Sequence, residues 1–188
     1  KNCVKLVDAQ GAFCPTDTTN LALKCTEIGY GIFSGCVKLT NASSAFARIY
    51  ALEKIKFADE NNTPDSRMFY NCSSLSEVQF IFNESGYKFM ENQNDYIAKN
   101  TLPADLFISA KNTLTRLDNS FKRCTAIKNI PDNMFEGFSK LKWVNNSFQG
   151  AKCVETIGNN IFKNCTEITS AENAFNLSEW GYYFDRVQ

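Results

Sequence analysis

Eight cysteines and no histidine set the limits on chemistry in this chain of 188 residues. Without histidine there is no Ser-His or Cys-His nucleophile pair, no imidazole acid or base, and no His-containing metal site. No Cys-x-x-Cys occurs, so the thiols do not read as a structural zinc site. Cys14 and Cys25 are the best candidate pair for a disulfide if the chain is exported. Asp59, Glu60 and Asp65 could offer oxygen to calcium, but the Asp-x-Asp-x-Asp-Gly loop is absent and a solvated loop is expected. No pair of carboxylates stands out as an acid and base, so a glycosidase-like chemistry finds no residues to carry it. Seven Asn-x-Ser/Thr matches occur, at Asn41, Asn61, Asn71, Asn83, Asn145, Asn164 and Asn176. They read as a consequence of an Asn-rich repeat more than as glycan acceptors. No catalytic residue, metal ligand or cofactor is therefore expected.

The cysteines belong to a pattern. "FYNCSSLSEV" from Phe69 and "FKNCTEITSA" from Phe162 share one frame with segments starting at Phe33, Phe46, Phe121, Phe135 and Phe148. The rule is Phe at position 0, a small or apolar residue at +3, an aliphatic residue at +6 and another apolar residue at +9. Phe107 starts a further copy with one inserted residue. Phe121, Phe135, Phe148, Phe162 and Phe175 are separated by 14, 13, 14 and 13 residues. Two classes alternate: one continues as "IPDNMF" or "IGNNIF", the other as "LDNSF", "VNNSF" or "AENAF". The true period is therefore 27, built of two related halves, with about six coils. Cys36, Cys72, Cys124 and Cys165 fill the +3 slot, which accepts Phe138 and Ala151 elsewhere. A slot that takes Cys, Ala or Phe is a packing slot, and the four thiols are expected to be free and buried.

A half-repeat of this length cannot bury its own apolar face, but stacked copies can, each Phe resting on the next. The +6 to +9 stretch fits a short strand with a bend, because positions three apart do not share a strand face. The following Asn-Asn, Asp-Asn and Pro-Asp pairs are turn formers, leading into a single helical or 3-10 turn. Insertions are placed near 16–20, 58–66 and 82–101, within a single domain over 1–188. Trp180, Tyr182, Tyr183 and Phe184 are expected in a C-terminal cap over 176–188.

"IPDNMFEGFSKLKWVNNSFQG" and "MFYNCSSL" resemble the BspA-like leucine-rich repeats of Bacteroidetes surface proteins. The resemblance covers nearly the whole chain outside the insertions. It departs in having half-repeats of 13–14 residues, where one uniform unit of about 23 is the norm. It implies a protein exported to the cell surface, through a lipid anchor outside this chain or as part of a larger secreted protein, that binds other molecules and catalyses nothing.

The expected fold is thus an α/β, right-handed leucine-rich-repeat solenoid of short strands alternating with short helical or 3-10 turns. The polar residues between +6 and +9 should form the contact surface: Thr115, Arg116, Lys128, Asn129, Lys142, Trp143, Glu155 and Thr156, with Thr40, Asn41, Ser76, Glu77, Thr169 and Ser170 as equivalents. Trp143 is the aromatic among them. Equal counts of basic and acidic residues, 20 each, argue against nucleic acid as a partner. A protein or glycan partner for a monomer is expected. The alternative is a structural spacer that projects another domain.

Overall fold

In most half-repeats the residues at +6 and +9 are aliphatic and point inward, whereas Ile157 and Ala171 near the end of the array are exposed. Leu39 and Ala42, Leu75 and Val78, Leu114 and Leu117, and Leu141 and Val144 are all buried. A strand cannot keep two residues three apart on one face, so extended pairing lasts only one or two residues. The computed structural model, which describes residues 2–14, 25–86 and 100–177, shows the result. Strands β1 (Glu27–Ile28), β2 (Lys54–Ile55), β3 (Asn100–Thr101), β4 (Ile127–Ile130) and β5 (Thr156–Ile157) are short and pair in parallel.

Two ladders run along the array. The first is a row of single parallel bridges, Asp8 to Asn41, Glu77, Arg116, Trp143 and Ser170. The second comprises β1 paired with β2, and β3–β4–β5. Between β2 and β3 the side chain of Asn100 does the work of backbone. Its Oδ1 accepts the Ile55 N–H at 2.9 Å, and its Nδ2 donates to the carbonyls of Glu53 and Ala126 at 3.1 and 2.7 Å. A buried amide with three partners carries no desolvation penalty of the unpaired kind.

The phenylalanines form two columns. Phe13, Phe46, Phe82, Phe121, Phe148 and Phe175 stack in order, with centroids 5.0 to 5.7 Å apart. Phe33, Phe69, Phe107, Phe135 and Phe162 stack in the other, at 5.1 to 6.1 Å. Phe33 touches Phe46 across the columns at 5.7 Å, as Phe162 touches Phe175. Each buried ring contributes roughly 1.5–3 kcal/mol before entropy, and stacked pairs add to this. Phe33, Phe46, Phe69, Phe121, Phe135 and Phe148 are buried as the frame predicts, whereas Phe162 and Phe175 are only partly covered.

The turns explain the asparagines. The residue two before nine of the eleven column Phe has positive φ: Gly11, Gly31, Ser44, Phe80, Asn119, Asn133, Asn146, Asn160 and Asn173. So does the residue two after most of them, including Gly35, Asn71, Gly137, Gly150 and Asn164. Only Gly, and to a lesser degree Asn, adopts this conformation cheaply. Through these turns every second N–H donates to the neighbouring repeat, as in Asn119 to Asn145, Phe121 to Ser147 and Arg123 to Gln149 at 2.7–2.8 Å. Asn71 and Asn164 therefore recur because the backbone demands it. Phe80 is the costliest departure, an aromatic residue at φ 56° that is also exposed. Phe80→Asn should raise unfolding free energy by about 1 kcal/mol, read from urea denaturation. A destabilised variant would mean that the exposed ring makes contacts worth more than the strain.

Three expectations need correction. The fold is not α/β in the helical sense: among the described residues there is no α-helix, only 3-10 turns at Pro64–Ser66 and Ile108–Ala110. Positive φ beside most column Phe interrupts any helical run. The stretch 82–101 begins and ends inside the array. Phe82 is a column ring and Asn100–Thr101 are β3. Its Phe was missed because exposed Phe80 precedes it and the Cys place is taken by Ser85, whose hydroxyl donates to the Phe46 carbonyl. Cys25, offered as a disulfide partner of Cys14, is a free thiol packed against the core, three residues before Ile28 as Leu52 is before Ile55. Residues 16–20 and the aromatic residues of the expected cap, Trp180 to Phe184, lie outside the described residues.

Candidate interaction surface

The residues between +6 and +9 are pushed outward because their two neighbours are held inward. They do not form one surface. Thr115, Arg116, Lys142 and Trp143 stand on the first ladder, with Asn41, Glu77 and Ser170. Lys128, Asn129, Glu155 and Thr156 stand on the second. Sequence spacing places both sets in equivalent positions, and only the alternation of the two halves separates them.

The two ladders differ in what their side chains still offer. On the second, polar groups satisfy one another. Asn129 Nδ2 donates to Thr101 Oγ1 at 3.0 Å, Thr156 Oγ1 donates to Asn129 Oδ1 at 2.7 Å, and Lys128 pairs with Glu155 at 3.1 Å. Glu27 pairs with Lys56 at 2.5 Å and Lys54 at 3.9 Å. Its hydrogen bond to Lys56 lowers the Glu27 carboxyl below its ordinary range.

On the first ladder Trp143 is 36% exposed. The Arg116 guanidinium lies 4.9 Å from the centre of its ring and Lys142 Nζ lies 6.0 Å away. Arg116 is held in place by Asp118, whose carboxylate accepts Nε at 3.1 Å and also accepts the Asn145 N–H at 3.3 Å. Lys142 is drawn toward Glu167 at 3.7 Å, which also takes Lys140 at 2.8 Å. The hydrogen bond from Lys140 lowers the Glu167 carboxyl. Thr115 and Thr169 turn their hydroxyls back onto the carbonyls of Ser76 and Lys142. The result is an ordered indole flanked by two cations on a row of short polar side chains, a geometry for contact rather than for bond-making.

Asp118 and Glu167 were not singled out by sequence: both lie outside the strand fillers, and Asp118 shares its repeat place with Asn145 and Glu172, where it reads as a turn former. Exposed Tyr70 and Ile108, each just after a column Phe, were missed for the same reason. Asp59, considered for calcium, spends its carboxylate on the Thr63 N–H and hydroxyl at 2.9 and 2.6 Å, which lowers its pKa. Among the described residues no cluster of three or more Cys, Asp or Glu could hold a metal ion.

The profile described as "BspA type Leucine rich repeat region" matches residues 9–128 and 100–184, in six copies. The chain belongs to this BspA-type leucine-rich-repeat family. No curated protein matches it. Among solved structures it is similar to the leucine-rich repeat protein TpLRR of T. pallidum, with 20% identity over 76% of this chain and 71% of that one, at a TM-score of 0.22. It is also similar to a leucine-rich repeat protein from Bacteroides ovatus, with 17% identity over 89% of this chain and 66% of that one, at a TM-score of 0.17. At those scores neither likeness carries a structural argument. BspA-type repeats are a kind of leucine-rich repeat, a class whose stacked units make extended protein-interaction surfaces.

Proposed function

We propose that the chain is an exported cell-surface binding module that docks a protein partner on the first ladder, with Trp143 as the anchor and no catalysis. The observation that carries this is the half-exposed indole fixed between Arg116 and Lys142 on an otherwise polar row. Anchors of this kind, aromatic and arginine together, dominate binding energy at interfaces. The path is read as a right-handed solenoid of about six coils, supported by the six parallel bridge positions from Asp8 to Ser170 and the usual hand of parallel crossovers. Anchoring at the outer membrane through a lipid outside this chain follows from the family resemblance. No helix among the described residues is long and apolar enough to cross a membrane.

The test is a binding screen of the purified chain against immobilised surface proteins, matrix proteins and glycans. Trp143→Ala should weaken binding to a captured protein by about thirtyfold or more, the loss of a hot spot of about 2 kcal/mol. Lys128→Ala and Thr156→Ala on the second ladder should leave it within about threefold. Tm of all three should stay within a few degrees, because these side chains lie outside the core. Equal losses from both ladders would place the contact elsewhere. Binding to glycans alone would replace the protein partner. No binding to any array member would favour the spacer reading.

A further inference from the structure

Cys3 and Cys36 occupy one slot on adjacent repeats. Their offset equals that of the bridge Asp8 to Asn41. The chain segments touch just before both thiols: the Asn2 N–H donates to the Ser34 carbonyl at 2.6 Å, and a Cβ on Gly35 would lie 2.1 Å from Asn2 Oδ1. Just after them the turns match, with Leu6 N–H on the Cys3 carbonyl at 2.9 Å and Leu39 N–H on the Cys36 carbonyl at 3.0 Å. Cys3 is exposed and Cys36 is buried. Paired strands about 4.8 Å apart fall within the Cα separations of about 4.4–6.8 Å that a disulfide spans.

We propose that Cys3 and Cys36 form a redox site, which a small-molecule disulfide such as oxidised glutathione converts to a Cys3–Cys36 bridge. The exposed Cys3 thiolate attacks one sulfur of the small disulfide. That bond breaks, and the first small thiol leaves with the proton that Cys3 gave up. The Cys36 sulfur, losing its own proton, then attacks Cys3 Sγ. The mixed disulfide breaks, and the second small thiol leaves with that proton. Two protein thiols are oxidised by two electrons, and one small disulfide is reduced to two thiols. Cys72 follows in the same slot, but it is buried and its thiol donates to the Phe33 carbonyl at 3.0 Å. The bridge would fasten the first repeat to the second in oxidising surroundings and release it in reducing ones.

The experiment uses the full chain carrying Cys25→Ser, treated with oxidised glutathione at about pH 8, where thiolate is available. It is then unfolded in the presence of an alkylating reagent, which blocks every remaining thiol, and cut with trypsin. Cleavage after Lys1, Lys5, Lys24 and Lys38 places Cys3 in peptide 2–5 and Cys36 in peptide 25–38. The expected product is these two peptides joined, two hydrogens lighter than their sum, and absent from Cys3→Ser and Cys36→Ala. Both variants should fold, since Cys3 is exposed and Ala110 fills the slot elsewhere. Recovery of Cys3 only as its glutathione adduct, of Cys36 joined to Cys72, or of Cys36 fully alkylated would overturn the proposal.

Discussion

Phe135→Ala is expected to lower unfolding free energy by about 3–5 kcal/mol, the range for truncating a buried aromatic ring. The ring is fully buried. It sits between Phe107 at 6.1 Å and Phe162 at 5.5 Å, with the edge of Phe138 at 5.5 Å. Its loss opens a gap that the column cannot close, because the neighbouring rings are held in their own places, Phe107 against Phe69 and Phe162 between the positive-φ turns at Asn160 and Asn164. Column rings and ladder bridges above and below would lose a stacking partner together, so the damage should reach both neighbouring repeats. Phe162→Ala, at a partly covered position, should cost clearly less. Urea denaturation of both variants checks this. A loss below about 1 kcal/mol at Phe135 would show that the columns are not a continuous core.

Alkali should unfold the protein through its thiols. Burial pushes both Cys72 and Cys124 from an ordinary value of 9.0 up to about 12. Between those values the unfolded chain gives up a proton that the folded chain keeps. The stabilising contribution is therefore complete below about pH 9 and is lost as pH climbs toward about 12. The three-unit difference is worth about 4 kcal/mol per thiol, of which about half should be gone near pH 10.5. Urea midpoints at about pH 8 and 10.5 measure the fall. Cys124→Ala should shed its share of the fall, because Ala151 fills the same slot on the next repeat and the fold should accept it. An undiminished fall in that variant would remove Cys124 as a cause. The same burial should keep Cys36, Cys72 and Cys124 unreactive to an alkylating reagent in the native state without oxidant, and open them on unfolding. Cys165, only partly buried and bonded to the Phe135 carbonyl at 2.9 Å, should react at an intermediate rate.

The periodic residues were legible in the sequence because each is forced by a purely local constraint. Phe at 0, aliphatic residues at +6 and +9 and a small residue at +3 point inward through the middle of the array, while Cys3, Ile157 and Ala171 toward its ends are exposed. Asn or Gly two residues from the Phe reports a backbone conformation that few other residues tolerate. The sequence by itself thus determined the repeat, its 27-residue period, the packing role of the +3 thiols and the outward position of the strand fillers. It also pointed to Trp143. Tertiary structure decided which repeats are neighbours and therefore which exposed residues share a surface. One column takes its rings from one class of half-repeat and the second from the other, so Trp143 meets Arg116, 27 residues earlier, and not Lys128 or Glu155. Insertions change the offset between neighbours from 27 to 33, 36 and 39 without breaking the first ladder. Spacing alone therefore could not reveal Phe82 as a column ring, Asn100 as the link from β2 toward β4, or Cys25 in a leucine's place. Those positions are set by contacts between segments far apart in the chain, which no local pattern records.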